Sequence, residues 1–288
     1  MDIYPIPRSS YKRIGIGALN EIPDPPKELW MRGTLPPQAT KKLAVVGSRA
    51  LTPYGTYACE TLIKGLAGHS ISIVSGLALG VDACAHRAAL AHGLHTIAVP
   101  GSGLGDSSIA PQTNLALAKE IVTNGGALLS EHPPETTARP QYFPSRNRIM
   151  VGMSDAVLVI EAGEKSGTLI TARLAVDYNR DLLCVPHRID DAHGFGSQLF
   201  LRLGATLVSN SSHILEVLGL SEPKKELPLQ LPLMSDHEIL LYTILETPTA
   251  RDRLIHQSKL SPSDVSMALV TLELKGVAKE QYGAWRRT

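Results

Sequence analysis

From residue 41 onward the chain alternates short apolar runs rich in β-branched residues with longer stretches whose apolar positions recur every three to four residues. The runs fall at 43–46, 71–75, 96–99, 127–130, 156–160, 182–185 and 206–209. They are mostly apolar, with no sustained polar alternation, which is the pattern of strands covered on both faces. Between and after them the helical period appears at 57–67, 82–92, 113–124, 146–153, 168–178, 197–203 and 211–218. Strands that alternate with helices pair in parallel through right-handed crossovers. The pattern therefore predicts an α/β fold, a doubly wound, mostly parallel Rossmann-like sheet over 41–220.

The flanking segments have other textures. Residues 1–40 contain Pro5, Pro7, Pro23, Pro25, Pro26, Pro36 and Pro37. That density forbids long helices and predicts an extended arm laid on the sheet domain. Residues 221–233, with Pro223, Pro228 and Pro232 among charges, read as a linker. Three short amphipathic patterns at 235–246, 250–257 and 261–274, then a hairpin at 276–285, predict a small C-terminal winged-helix domain over 234–288.

In an open α/β sheet, ligands sit beyond the carboxyl ends of the strands, so the residues just after each run carry the functional expectation. After the first run come Gly47, Ser48 and Arg49: a tight turn, a hydroxyl and a guanidinium that can fork onto phosphate. After the second come Ser75 and Gly76, and after the third a Gly101-Ser102-Gly103-Leu104-Gly105 stretch that lacks the spacing of a dinucleotide fingerprint. After the fifth, Lys165, Ser166, Gly167 and Thr168 lead into a helix whose N-terminus favours anions. No GK[ST] follows at Walker spacing, which disfavours triphosphate hydrolysis. The long connection after the fourth run gathers Phe143, Arg146, Asn147 and Arg148: a ring for stacking and cations for phosphates.

Charge and composition sharpen this picture. A net charge of +1 excludes binding of polyanions through bulk charge, so a phosphate site has to be a local concentration of cations and amides. An aromatic share of 5% leaves few rings for bases, which throws the weight onto the backbone. If Arg49, Arg146, Arg148 and Lys165 each meet a phosphate, affinity should fall with salt at a log–log slope of about −3. Cys59, Cys84 and Cys184 lie far apart in apolar runs and read as buried reduced thiols. The histidines show no HxH or HExxH spacing, and no metal or cofactor is expected. No run approaches a membrane span and no signal peptide opens the chain, so a cytoplasmic protein is expected.

Taken in order, Val46-Gly47-Ser48-Arg49, then Ser75-Gly76-Leu77-Ala78 with Gly80, Asp82 and His86, then Phe143-Pro144 before Arg146-Asn147-Arg148-Ile149, then Glu161-Ala162 with Ser166-Gly167-Thr168-Leu169-Ile170-Thr171-Ala172, resemble the DNA-processing protein A (DprA/Smf) family. The resemblance spans about 41–220, and 235–288 resemble the winged-helix domain of many members. It implies a homodimer that binds single-stranded DNA independently of sequence, shields incoming DNA in natural transformation and helps load RecA recombinase on it. It implies a recombination mediator and not an enzyme, with DNA contacts on Gly47, Ser48, Arg49, Arg146, Asn147, Arg148, Ser166, Gly167 and Thr168. Where members carry Pro-Gly after the sixth run, this chain has Pro186-His187.

Two other readings compete. Glu131 and Glu161 both follow strands and would serve as paired carboxylates in a nucleotide-processing, phosphoribohydrolase-like enzyme. The winged helix alone suggests a transcriptional module, but its 261–274 helix lacks the Arg, Asn or Gln that read base edges, which favours protein contact or weak backbone binding. Asp82 and His86, four apart on one helix, read as a helix-end carboxylate and a satisfied core histidine, not as an acid/base pair.

Overall fold

A computed structural model describes residues 2–164, 166–220, 234–281 and 283–287. The chain divides into two units, residues 1–221 and 222–288. The expected linker at 221–233 lies outside the described residues.

The first unit runs β1 (Ile3–Pro7), β2 (Glu28–Gly33), β3 (Lys41–Val46), α1 (Pro53–Lys64), β4 (Ile71–Ser75), α2 (Val81–Ala91), β5 (His95–Ala98), α3 (Leu115–Thr123) and β6 (Ala127–Ser130). It continues through α4 (Tyr142–Met153), β7 (Ala156–Val159), α5 (Thr168–Asp177), β8 (Asp181–Cys184), α6 (Phe195–Arg202), β9 (Thr206–Leu207) and α7 (Ser211–Val217). The sheet order is β1-β2-β6-β5-β4-β3-β7-β8-β9. From β6 to β9 every pairing is parallel, while β1 and β2 join antiparallel at the β6 edge. All seven runs expected from the sequence are strands of one sheet.

The chain leaves β3 toward β4 on one side and later returns to β7 on the other, so the order reverses between β3 and β7. That reversal opens a crevice at the carboxyl ends of these two strands. Buried side chains pack on both faces. One face carries Ala44, Val46, Val157 and Val159 under α4, α5 and the N-terminal segment; the other carries Leu43, Val45, Leu158 and Ile160 under α1, α2 and α7. The three cysteines are buried free thiols.

The arm expected over 1–40 is more than a covering. Ile3–Pro7 and Glu28–Gly33 are strands, in register Trp30 with Ser130 and Met31 with Leu129. Prolines sit in β1 because it is the edge strand, where a missing N–H breaks no ladder.

In the second unit α8 (Asp236–Ile244), α9 (Arg251–Ser258) and α10 (Pro262–Leu274) precede a hairpin of β10 (Ala278–Gln281) and β11 (Ala284–Arg287). Ser235 caps α8 in a capping box with Glu238. Leu241, Leu254, Leu269, Leu272 and Trp285 form its core. It is a winged helix, and α10 exposes Met267, Val270 and Leu274. Among the described residues no helix is long and apolar enough to cross a membrane.

Candidate nucleic-acid interface

The crevice between the ends of β3 and β7 holds a cavity of about 830 Å³. One wall is the β3–α1 turn, Gly47, Ser48 and Arg49; the opposite wall is the entry to α5, Ser166, Gly167 and Thr168; the start of α4 closes a third side with Phe143, Arg146 and Asn147. Nine of the residues expected from the sequence therefore meet in one place.

Each wall has a local cause. Gly47 has no room for a side chain, because a Cβ there would run into Val81. The Ser48 N–H donates to the Glu161 carbonyl at 3.0 Å, tying the end of β3 to the end of β7, while its hydroxyl turns back onto Ala50 at 3.1 Å. Gly80, at φ 76°, lets α2 start against this turn, and the Val81 N–H donates to the Ser48 carbonyl at 3.1 Å. Across the cavity, the Ser166 hydroxyl accepts from the Thr168 N–H at 3.2 Å and donates to the Thr168 hydroxyl at 2.9 Å, shaping the first turn of α5. A Cβ on Gly167 would meet nothing within 4 Å, so there is room beside this helix end, whose Leu169 and Ile170 N–H groups donate to the Ser166 and Gly167 carbonyls, both at 3.1 Å, leaving the helix dipole as what it offers the cavity.

The arginines divide sharply. Arg49 makes no ion pair among the described residues, and its guanidinium lies 5.1 Å from the centre of the Phe143 ring. Arg146 is buried: its guanidinium donates to the Val99 carbonyl at 3.0 Å and pairs with the buried Asp82 carboxylate at 3.3 Å. Burial holds the Arg146 pKa below its usual value, and Asp82 opposes that shift. Gly76 lies under this side chain, where a Cβ would overlap the guanidinium itself. Arg148 leaves the cavity altogether: it forks onto Glu131 at 2.6 and 2.7 Å and reaches Asp24 at 3.2 Å.

Ser75 and Gly76 do not line the cavity; the Ser75 hydroxyl is buried and donates to the Val45 carbonyl at 2.7 Å. Lys165 lies outside the described residues. Asp82, besides Arg146, accepts from the Ala78 N–H at 3.3 Å. His86 is fully buried with Nδ1 2.7 Å from the Thr96 hydroxyl, which itself donates to Ile73. Nδ1 is therefore the protonated nitrogen of a neutral ring. Burial, and then Arg146, lower its pKa to about 3.

The paired-carboxylate reading finds no geometry to support it. Glu161 is buried against the start of α1, accepting from the Thr52 N–H at 3.0 Å and hydroxyl at 2.7 Å, and Glu131 is taken up by Arg148. Sequence reasoning missed several lining residues: Ala78, Ile170 and His193 among them. His193 was within reach of the strand-end rule, since it lies in the loop after β8.

A further buried contact shapes the site from behind. Leu77 adopts φ 59° in the turn after β4, and the buried Asn114 amide holds that turn by donating to the Leu77 and Ala78 carbonyls at 2.8 and 3.3 Å. A branched side chain in the left-handed region is costly and persists only where its surroundings fix it. Here the fixing group is Asn114.

Comparison with known proteins agrees with this architecture. Residues 7–219 match the family described as DNA recombination-mediator protein A, and residues 223–284 match the DprA winged helix domain. The chain is 33% identical over 301 residues to protein Smf of Synechocystis sp., covering 91% of this chain and 75% of that one. It is 40% identical over 197 residues to DNA processing protein DprA of Streptococcus pneumoniae, 68% of each chain. The crystal structure of the pneumococcal DNA processing protein A superposes with a TM-score of 0.69 over 75% of this chain and 74% of that one, at 36% identity. DNA processing protein A of Helicobacter pylori, described for its single-stranded DNA binding mode, superposes with a TM-score of 0.64 at 30% identity, covering 76% of this chain and 96% of that one.

Proposed function

Because the chain belongs to the DNA recombination-mediator protein A family, we propose that it binds single-stranded DNA, without regard to sequence, in the cavity between the ends of β3 and β7. The observation that carries this reading is Arg49: a guanidinium free of ion pairs among the described residues, set over Phe143, in the same cavity as the N-terminal end of α5. A cation and a helix end take phosphates, and a ring takes a base. The single-stranded DNA binding described for the Helicobacter relative supports the same ligand. On this reading the protein shields incoming DNA in natural transformation and helps load RecA recombinase on it, and a homodimer sets two cavities in line.

The strand's grip differs from a clamp of four cations. Arg146 and Arg148 are committed to Asp82, Glu131 and Asp24, so they shape the site instead of neutralising phosphate. The salt dependence is then shallower than a slope of −3, at about −0.7 for each phosphate that a free cation meets. The test is a fluorescence-anisotropy titration with an oligothymidine strand and a matched duplex at two salt concentrations. Arg49→Ala should weaken binding of the single strand by about tenfold or more, the worth of one charged hydrogen bond, and flatten the slope by about 0.7. Equal binding by parent and variant would put the strand elsewhere.

A further inference from the structure

Tyr142 and Phe143 are consecutive residues in the first turn of α4, and each carries a guanidinium over its ring. Arg49 stands 5.1 Å from the centre of Phe143, and Arg139 stands 5.9 Å from the centre of Tyr142. On Tyr142 the stack continues: the His132 ring lies 3.9 Å away, centre to centre, tilted by 31°. Phe143 lines the cavity and Tyr142 does not. Neighbours on an α-helix diverge by about 100°, so the second stack stands on the outer side of the same turn.

Its chemistry repeats that of the first. Tyr142 and His132 are half-buried, each keeping part of its surface in solvent, and Arg139 is exposed with no ion pair among the described residues. Burial, and then Arg148, hold the His132 pKa below its ordinary value, against the pull of Glu131, which keeps the ring neutral near pH 7. A neutral imidazole laid on a phenol is a flat surface with no charge of its own, and the neighbouring guanidinium is free for an anion.

We propose that Tyr142, backed by His132 and flanked by Arg139, is a second base-stacking position. A single strand lying in the cavity continues over the first turn of α4 and is held by two successive aromatic–arginine steps, one nucleobase and one phosphate at each. This rests on the reading that the cavity takes a single strand.

Titrating the full chain with oligothymidines of about four and about fifteen nucleotides, lengths that fill one subsite or several, separates the two claims. Arg49→Ala should weaken both lengths. Tyr142→Ala should weaken only the longer strand, by about fivefold or more, while Tyr142→Phe binds as the parent does. Arg139→Gln should flatten the salt slope for the longer strand by about 0.7 and leave the shorter one unchanged. Loss of both lengths in Tyr142→Ala, or of neither, overturns the second position while leaving the cavity intact. Should Tyr142→Ala fail to fold, the exposed Arg139 decides: an unchanged slope and affinity on the longer strand refutes the proposal. A parent that binds neither length removes the cavity reading, and the second position with it.

Discussion

Replacing Asp82 by Asn tests whether Arg146 belongs to the fold or to the ligand. Both side chains are buried, and the Arg146 guanidinium has three partners: Val99 carbonyl at 3.0 Å, the Met150 sulfur at 2.8 Å and the Asp82 carboxylate at 3.3 Å. Asn keeps the shape and an acceptor oxygen but removes the countercharge. A buried charge left without its partner costs about 3–5 kcal/mol, and the longish 3.3 Å contact argues for the lower end, about 3 kcal/mol. Urea unfolding in a Trp285→Phe background, where Trp30 in β2 is the remaining tryptophan, should show the midpoint falling by about 1 M. The double variant Asp82→Asn with Arg146→Met should recover most of that loss, since an apolar pair of similar volume replaces a buried ion pair at little cost. A cost below about 1 kcal/mol for Asp82→Asn would mean that Arg146 is solvated and turned toward the cavity, as a phosphate clamp would be.

Two further outcomes follow from the same neighbourhood. His86 has a folded pKa of about 3 against an ordinary 6.5, so the unfolded chain binds the extra proton first; stability is full above 6.5 and drains as pH falls toward 3, by at most about 1.4 kcal/mol per unit. His86→Gln should flatten that part of a pH–stability curve, and a curve that keeps its slope would refute the assignment. Asn114→Ala removes the donor that holds Leu77 in its left-handed turn and should cost about 2 kcal/mol, or about 6 °C in Tm; a shift under about 2 °C would show that the turn is held by other contacts.

The parallel sheet was legible because its central strands, such as Lys41–Val46 and Ala156–Val159, are largely apolar and buried on both faces, a signal that survives without any tertiary information. β1 and β2 were not. Ile-Tyr-Pro-Ile-Pro reads by its prolines as an extended arm, and only the edge position, which no local pattern encodes, makes it a strand of the sheet. The site was legible as a set of loops but not as side-chain directions. The period placed the fourth helix at 146–153, whereas it begins at Tyr142 and carries Pro144 within its first turn, where proline is tolerated. On that helix Arg146 and Met150, four apart on one face, turn inward together, and Arg148 goes to the far side, toward Glu131 and Asp24. Gly76 gave a hint in its smallness, yet the sequence alone does not say whether a glycine makes room for a turn, a ligand or, as here, a buried guanidinium.

During synthesis, the β1–β2 ribbon leaves the ribosome about a hundred residues ahead of the strand it flanks, since Trp30 pairs with Ser130. A two-stranded ribbon is marginal by itself, so it waits, and its closing step is among the longest-range contacts that the unit must make. Such contacts are slow because the entropy of the closed loop is lost before the pairing is gained. The ribbon's residues are thus made before the rest of the sheet yet are among the last to be secured, and until they are, the Ala127–Ser130 strand stands as a bare edge on which another chain can pair.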